Sequence, residues 1–195
     1  ASDVYKRQTN NKPYIILKIA SSLDGKSHIE SEERTIITSK ASRYDVQILR
    51  ASCDAILTGG NTLRNDNPRM NARVNFPTNQ PKKILLTSKD CDKELNFFKD
   101  NDVQIYKNKD LAQIIKSFKD QDFCSILIEA GPKLANSFLE LGLVDEIISY
   151  TSNNELGDKA VSWFKENNAI ENYGFKLESS YKIQSDIKEV FKKNG

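Results

Sequence analysis

The sequence predicts one α/β domain: a sandwich around a mostly parallel central sheet, flanked by helices and finished by an antiparallel hairpin. Three observations carry that prediction. Short apolar runs alternate with segments of helical spacing, which is the order that builds a parallel sheet. Near the C-terminus the pattern changes to strict apolar/polar alternation, the mark of a strand pair with one wet face. The 195 residues, 38% of them hydrophobic, suffice for one substantial core and are too few for two comfortable domains.

Residues 1–9 show no apolar periodicity and read as a scar, linker remnant or disordered lead, so the domain is taken as 10–195. Residues 14–20 (YIILKIA) form a nearly continuous apolar run, as expected of a strand buried on both faces. A loop follows at 21–25. Ser39 suits an N-cap for a helix reaching about residue 52, with Ala41, Tyr44 and Ile48 as its apolar stripe and Arg43 and Arg50 sharing another face. Residues 55–58 (AILT) are a second strand; Gly59-Gly60 ends it and Asn61-Thr62 opens a turn of helix. Residues 65–81 hold three prolines and little periodicity, which predicts a long loop. Strands are expected at 83–87 and 103–106, a helix over 111–119, and a fourth strand at 125–130. Gly131-Pro132 then starts a helix that stops at Gly142, because proline is tolerated in a first turn and glycine ends a last one. Residues 146–150 read as a strand and 159–166 as a helix. Phe175, Leu177, Ser179 and Tyr181, then Ile187 and Phe191, mark the terminal hairpin.

Composition narrows the function classes. A net charge of +2 gives no global reason to expect nucleic acid or an anionic membrane. No apolar run reaches about 18 residues and no apolar signal region is visible, so the expectation is a cytoplasmic protein with no membrane partner. Cys53, Cys91 and Cys124 are odd in number and far apart, and His28 is the sole histidine. Neither a disulfide framework nor a metal site is expected.

Six of the seven arginines (Arg34, Arg43, Arg50, Arg64, Arg69, Arg73) fall within forty residues. They read either as bidentate phosphate ligands or as a cluster on solvated helix faces. In an open α/β sheet ligands bind beyond the C-terminal strand ends, and residues 20–25, 58–62 and 129–137 occupy such places. Gly131 can admit a phosphate against the backbone or simply shape a strand-to-helix turn, and both readings stay open. Glu129 reads as a substrate carboxylate or as a cap for nearby N–H groups. Asp24 reads as a structural turn residue, His28 as an exposed loop residue, and the cysteines as core. Composition and spacing alone name no reaction.

Taken together, residues 13–26 (PYIILKIASSLDGK), 36–73 (IITSKASRYDVQILRASCDAILTGGNTLRNDNPRMNAR) and 125–150 (SILIEAGPKLANSFLELGLVDEIISY) resemble the C-terminal reductase domain of bifunctional bacterial riboflavin-biosynthesis deaminase/reductases. The resemblance implies a dihydrofolate-reductase-like fold. It also implies NADPH-dependent reduction of the ribosyl group of 5-amino-6-(5-phosphoribosylamino)uracil to a ribityl chain. By the same resemblance the nucleotide lies along Ala20, Ile36, Thr62, Asp66 and Ser88, and its phosphates on Gly131, Pro132, Lys133, Leu134, Ala135, Asn136 and Ser137. Ser88 or Lys89 meets the 2′-phosphate. The substrate falls to Arg34, Arg50, Met70, Arg73 and Glu129, with Asp66 and Glu129 giving polar assistance to hydride transfer. A homodimer is also implied.

The chain departs from that family where Arg34 replaces a substrate-binding serine and Ile36 a cofactor-side tryptophan. Asn67 also replaces an often acidic neighbour of Asp66, and Thr151-Ser152 stands where Ala-Pro is frequent. No H-x-E with a downstream P-C-x-x-C occurs, so the zinc deaminase half, natively fused N-terminally in that family, is missing from this sequence. Two other functions fit the same residues: a dihydrofolate-reductase-like enzyme with another substrate, and a non-catalytic nucleotide-binding domain.

Overall fold

The computed structural model describes residues 12–30, 35–100, 102–107, 110–165 and 168–193. The expected lead at 1–9 and the substituted Arg34 lie outside the described residues. The elements are β1 (Tyr14–Ser21), β2 (Lys26–Ile29), α1 (Lys40–Ala51), β3 (Ala55–Gly59), α2 (Gly60–Asp66), β4 (Lys82–Leu86), β5 (Val103–Tyr106), α3 (Leu111–Ser117), β6 (Ser125–Ile128), α4 (Pro132–Glu140), β7 (Glu146–Thr151), β8 (Ala160–Ser162), β9 (Phe175–Ile183) and β10 (Asp186–Lys193).

Eight strands form one sheet in the order β5-β4-β3-β6-β1-β7-β10-β9. The first six run parallel, and β10 and β9 join antiparallel. The near-continuous apolar strands exist because both sheet faces are covered. Along β1, Ile15, Leu17 and Ile19 enter one core cluster while Tyr14 and Ile16 enter the other. In β6, Ile126 and Ile128 take the first side and Leu127 the second. Lys18, Glu129 and Tyr150 follow that alternation onto the second side, the side of α1. The parallel strands β1, β3, β4 and β6 deliver Ala20, Gly59, Leu86 and Glu129 to one edge of the sheet, where the candidate site lies.

Two expectations are corrected. Of the helix expected over 159–166, the described residues 159–165 form none: Ala160–Ser162 is a strand paired with Lys26–Ile29, an unforeseen pair outside the main sheet. Spacing misled here because the short segment Ala160 to Phe164, with Ser162 inside it, fits either period, and long-range contacts decide. Trp163 donates from Nε1 to the Ala20 carbonyl at 2.7 Å and from its backbone N–H to the Gly25 carbonyl, which holds this segment extended against β1. The buried face of α1 is not Ala41, Tyr44 and Ile48. Tyr44 and Ile48 are each about 40% exposed, whereas Ser42, Val46, Gln47 and Arg50 point inward. A polar face is buried because its partners are polar: Ser42 donates to Asp186 at 2.6 Å and Arg50 pairs with Glu129.

The helix ends follow from local chemistry. Ser39 caps α1 by accepting from the Ser42 N–H at 3.2 Å. Pro132 opens α4, and Gly142 follows its end at φ +66°. Asn67 ends α2 in the left-handed conformation, which asparagine tolerates, and its side chain accepts from the Asn96 N–H at 2.8 Å. That capping role accounts for the amide at this position.

Candidate functional site

A cleft of about 1330 Å³ opens over the C-terminal ends of β1, β3, β4 and β6. At its buried end stand Glu129 and Arg50, 6% and 8% exposed. Glu129 follows β6 directly, and Arg50 projects from the last turn of α1. The guanidinium grips the carboxylate with both arms, Nε to Oε1 at 2.5 Å and Nη2 to Oε2 at 3.0 Å, while Nη1 donates to the Asn71 carbonyl at 3.3 Å. Lys18 adds an ammonium 3.5 Å from Oε2. Burial opposes ionisation of Glu129, but Arg50 and Lys18 outweigh it and hold the carboxyl at about 2. The group is therefore a carboxylate at any neutral pH, compensated on both oxygens.

Tyr150, 1% exposed, lines the same end. Its hydroxyl donates to Asp45 at 2.5 Å, and Lys188 donates to the same oxygen at 2.6 Å. Burial, and then the Asp45 charge, raises the phenol far above its ordinary value, so it keeps its proton. Met70 closes the wall in a left-handed conformation (φ +48°) and is 4% exposed. A bulky residue held there stores strain, as side chains at binding sites often do. Arg73 sits at the rim, with Nη1 on Asn71 Oδ1 at 2.7 Å.

The other end of the cleft is shaped by glycines. Gly59 lets Leu134 of α4 settle on the end of β3, for a Cβ there would lie 3.0 Å from Leu134 Cδ2. Gly131 is different. Its φ of −70° and ψ of 170° suit any residue, including one before proline, and a Cβ would meet nothing nearer than Thr62 Oγ1 at 3.9 Å. Neither conformation nor packing demands glycine, so the bare backbone serves the open cleft. The Gly131 N–H donates to Thr62 Oγ1 at 3.2 Å, and the first amides of α4 beyond Pro132 lack intrahelical partners. This end can accept an anion against the backbone.

Of the expected site residues that are described, Ala20, Ile36, Arg50, Thr62, Asp66, Met70, Arg73, Ser88 and Glu129 line this one cleft, as do 131–134 and Ser137. Asp66 ends α2, with its side chain exposed. Two expectations are corrected: Ala135 is fully buried in the core, and Asn136 turns away to donate to the Pro132 and Trp163 carbonyls. Both follow from helical geometry, since only the first turn of α4 and one of its faces meet the cleft. Lys18 and Tyr150 line the cleft and were missed, whereas Arg64, read as one of the clustered arginines, lines it too. Only Lys18 carried a signal, as the lone charge in an otherwise apolar run. Asp24 is structural as expected: it accepts from Ser22 Oγ and from the Leu156 and Gly157 N–H groups. His28 sits on β2 with Nδ1 2.7 Å from Ser27 Oγ.

Comparison with known proteins bears on this cleft. The family model described as the RibD C-terminal domain matches residues 13–188. The riboflavin biosynthesis protein RibD of Buchnera aphidicola subsp. Baizongia pistaciae is 31% identical over 236 residues, covering 98% of this chain and 62% of that protein. RibD of Escherichia coli K12 is 32% identical, covering 80% of this chain and 52% of that protein. The chain thus spans less than two thirds of the length of these relatives. Among solved structures, Acinetobacter baumannii RibD superposes with a TM-score of 0.89 at 28% identity, covering 100% of this chain and 62% of that one. The yeast riboflavin biosynthesis reductase Rib7 shares the fold, with a TM-score of 0.66 at 17% identity, covering 93% and 90%.

Proposed function

The chain belongs to the RibD C-terminal domain family, and from that premise we propose that it is the NADPH-dependent reductase of the 5-amino-6-(5-phosphoribosylamino)uracil ribosyl group. The observation that carries this reading is Gly131, a glycine that neither fold nor packing requires, opening a helix in the cleft that also holds the Glu129–Arg50 pair. Residues 10–195 would then be the reductase unit of a protein that in these longer relatives carries further sequence.

The dinucleotide would lie with its pyrophosphate on Gly131 and the first turn of α4, between Thr62 and Ser137. Its nicotinamide would lie toward Ala20 and Ile36. When bound, the nicotinamide supplies the hydride. The chain's own residues hold the acceptor. Arg50 has its fork committed to Glu129, so it orients the carboxylate, and Arg73 and Arg43 at the rim would meet the substrate phosphate.

In the reaction a ring-opened C=N group takes the hydride at the former anomeric carbon and a proton at nitrogen. Glu129 stays ionised and would accept a hydrogen bond from the substrate near the reacting carbon. Glu129 has no proton to give and Tyr150 keeps its own near neutral pH, so water in the open cleft would supply the proton. Asp66 lends polar assistance at the nucleotide side. NADPH oxidation, followed by absorbance, tests the reading with the ribosylaminopyrimidine phosphate as substrate and dihydrofolate and NADH as controls. Turnover is expected with the pyrimidine and NADPH; turnover of dihydrofolate instead would replace the substrate, and no turnover with nucleotide bound would make the domain a binding module.

A further inference from the structure

The segment 67–73 carries the Met70 wall of the cleft, and its shape is imposed from outside. Met70 stands in it at φ +48°, a conformation that a bulky side chain keeps only where its surroundings over-determine it. On one side Met70 packs into the core cluster that contains Phe97; on the other it lines the cleft. The residues after it are fixed to the site: the Asn71 carbonyl accepts from Arg50 at 3.3 Å, and the Arg73 N–H donates to Gln47 Oε1 at 3.2 Å. The residues before it are fixed to the segment 96–100, which does not line the cleft. The Asn67 carbonyl accepts from Asn96 Nδ2 at 3.3 Å. Arg69 holds Asp100 with both arms, Nε to Oδ2 at 2.5 Å and Nη2 to Oδ1 at 2.6 Å.

That segment is anchored in turn by Lys83, a fully buried lysine in the otherwise apolar interior of β4. Its Nζ donates to the Phe97 carbonyl at 2.8 Å, lies 5.3 Å from the centre of the Phe97 ring and stands 3.9 Å from Asp100. A lysine is seldom buried without such partners. A continuous path therefore runs from the central sheet through Lys83, Asp100 and Arg69 to Met70. Arg69 lines the cleft as well, yet its donor fork is committed to Asp100, which sets it apart from a phosphate ligand. Because Arg69 is about half exposed, the pair adds little to global stability. Its effect falls on the wall.

We propose that Asp100, held by Lys83 and acting through Arg69, is a positioning residue that keeps Met70 in the wall conformation to which the reducible substrate binds. The proposal rests on the reading that the Glu129–Arg50 end of the cleft takes that substrate.

Met70 is the sole methionine, so a chain labelled with ¹³C at the methionine methyl gives one NMR signal that reports the wall. The wild-type signal should be single and sharp, and should shift when the ribosylaminopyrimidine phosphate is added. Asp100→Asn and Arg69→Gln should each broaden or split it before any ligand is present. Each should raise the KM for the pyrimidine about 10-fold, as expected if the binding-competent wall falls to about a tenth of the population. The kcat and the KM for NADPH should change less than about twofold, the mark of lost substrate binding rather than lost chemistry. The two substitutions combined should cost no more than either alone, because both break one path. Arg69→Gln leaves Asp100 beside Lys83, so its urea midpoint should stay at the wild-type value, and it tests the wall even where Asp100→Asn fails to fold.

Asp100→Asn also separates positioning from direct contact. It frees the Arg69 guanidinium, so an Arg69 that binds the substrate phosphate would lower the KM. A lowered or unchanged KM in Asp100→Asn, or a wild-type Met70 signal in Arg69→Gln, would overturn the proposal. A wild-type chain whose Met70 signal ignores the pyrimidine phosphate would instead remove the substrate reading of this end, and the positioning role with it.

Discussion

Gly131→Ala separates what the fold needs from what a ligand needs. The alanine methyl would enter the cleft with its nearest neighbour, Thr62 Oγ1, 3.9 Å away, and the backbone at φ −70°, ψ 170° already suits alanine before proline. No overlap and no backbone strain arise, so stability should change by less than about 0.5 kcal/mol and in the stabilising direction, because alanine restricts the unfolded chain. A phosphate seated on the Gly131 backbone would be pushed outward by the methyl. Weakened contacts to the first amides of α4 should cost about 1.4–2.8 kcal/mol, a 10- to 100-fold loss in dinucleotide affinity. Urea denaturation reads the first quantity and calorimetric titration of NADP⁺ the second. An alanine variant with undiminished affinity would refute the argument that glycine is there for a ligand.

Gly60→Ala should do the opposite. A Cβ 2.5 Å from Thr87 Oγ1 forces the end of β4 away, and about 1–3 kcal/mol should be lost in the same urea experiment. Glu129→Gln leaves Arg50 buried without its counter-charge, so about 3–5 kcal/mol of stability should go, together with most turnover; a variant as stable as wild type would show the pair to be dispensable. The pH dependence follows with its sign: the Glu129 carboxyl is lower in the folded chain, about 2 against an ordinary 4.5, so its contribution is complete above 4.5 and disappears as pH falls from there toward 2. The loss should approach about 3 kcal/mol, and Glu129→Gln should flatten that part of the acid titration. Asp24→Ala should release the loop it anchors, seen as faster amide exchange at Leu156 and Gly157 with the core amides unchanged.

Much of the fold was legible because the informative segments are both periodic and buried. The run at Tyr14 to Ala20 reads as a strand covered on both faces, and Gly131-Pro132 as the start of a helix, and both form as read. The β2–β8 pair was illegible since its two strands are short, partly exposed and more than a hundred residues apart, so nothing local distinguishes them from loop or helix. The α1 face misled because the stripe at Tyr44 and Ile48 obeys the usual rule of apolar side chains inward, while Ser42, Gln47 and Arg50 obey the chemistry of the site. Within the site, type and position marked Glu129 and Gly131. That Arg50, 79 positions earlier, neutralises Glu129 is a fact of packing, and so are the converging Lys18, Tyr150 and Asp45. Asn136 lay inside a contiguous phosphate segment in sequence and faces away because a helix turns.

The most direct test of the account is deuterium transfer. The chain would be given NADPH deuterated at the transferable position of the nicotinamide, together with the ribosylaminopyrimidine phosphate, and the product analysed by mass spectrometry. The account predicts a ribitylamino product carrying one deuterium on the former anomeric carbon. Product formed without the label, or label that appears only in water, would contradict hydride transfer in the Gly131–Glu129 cleft.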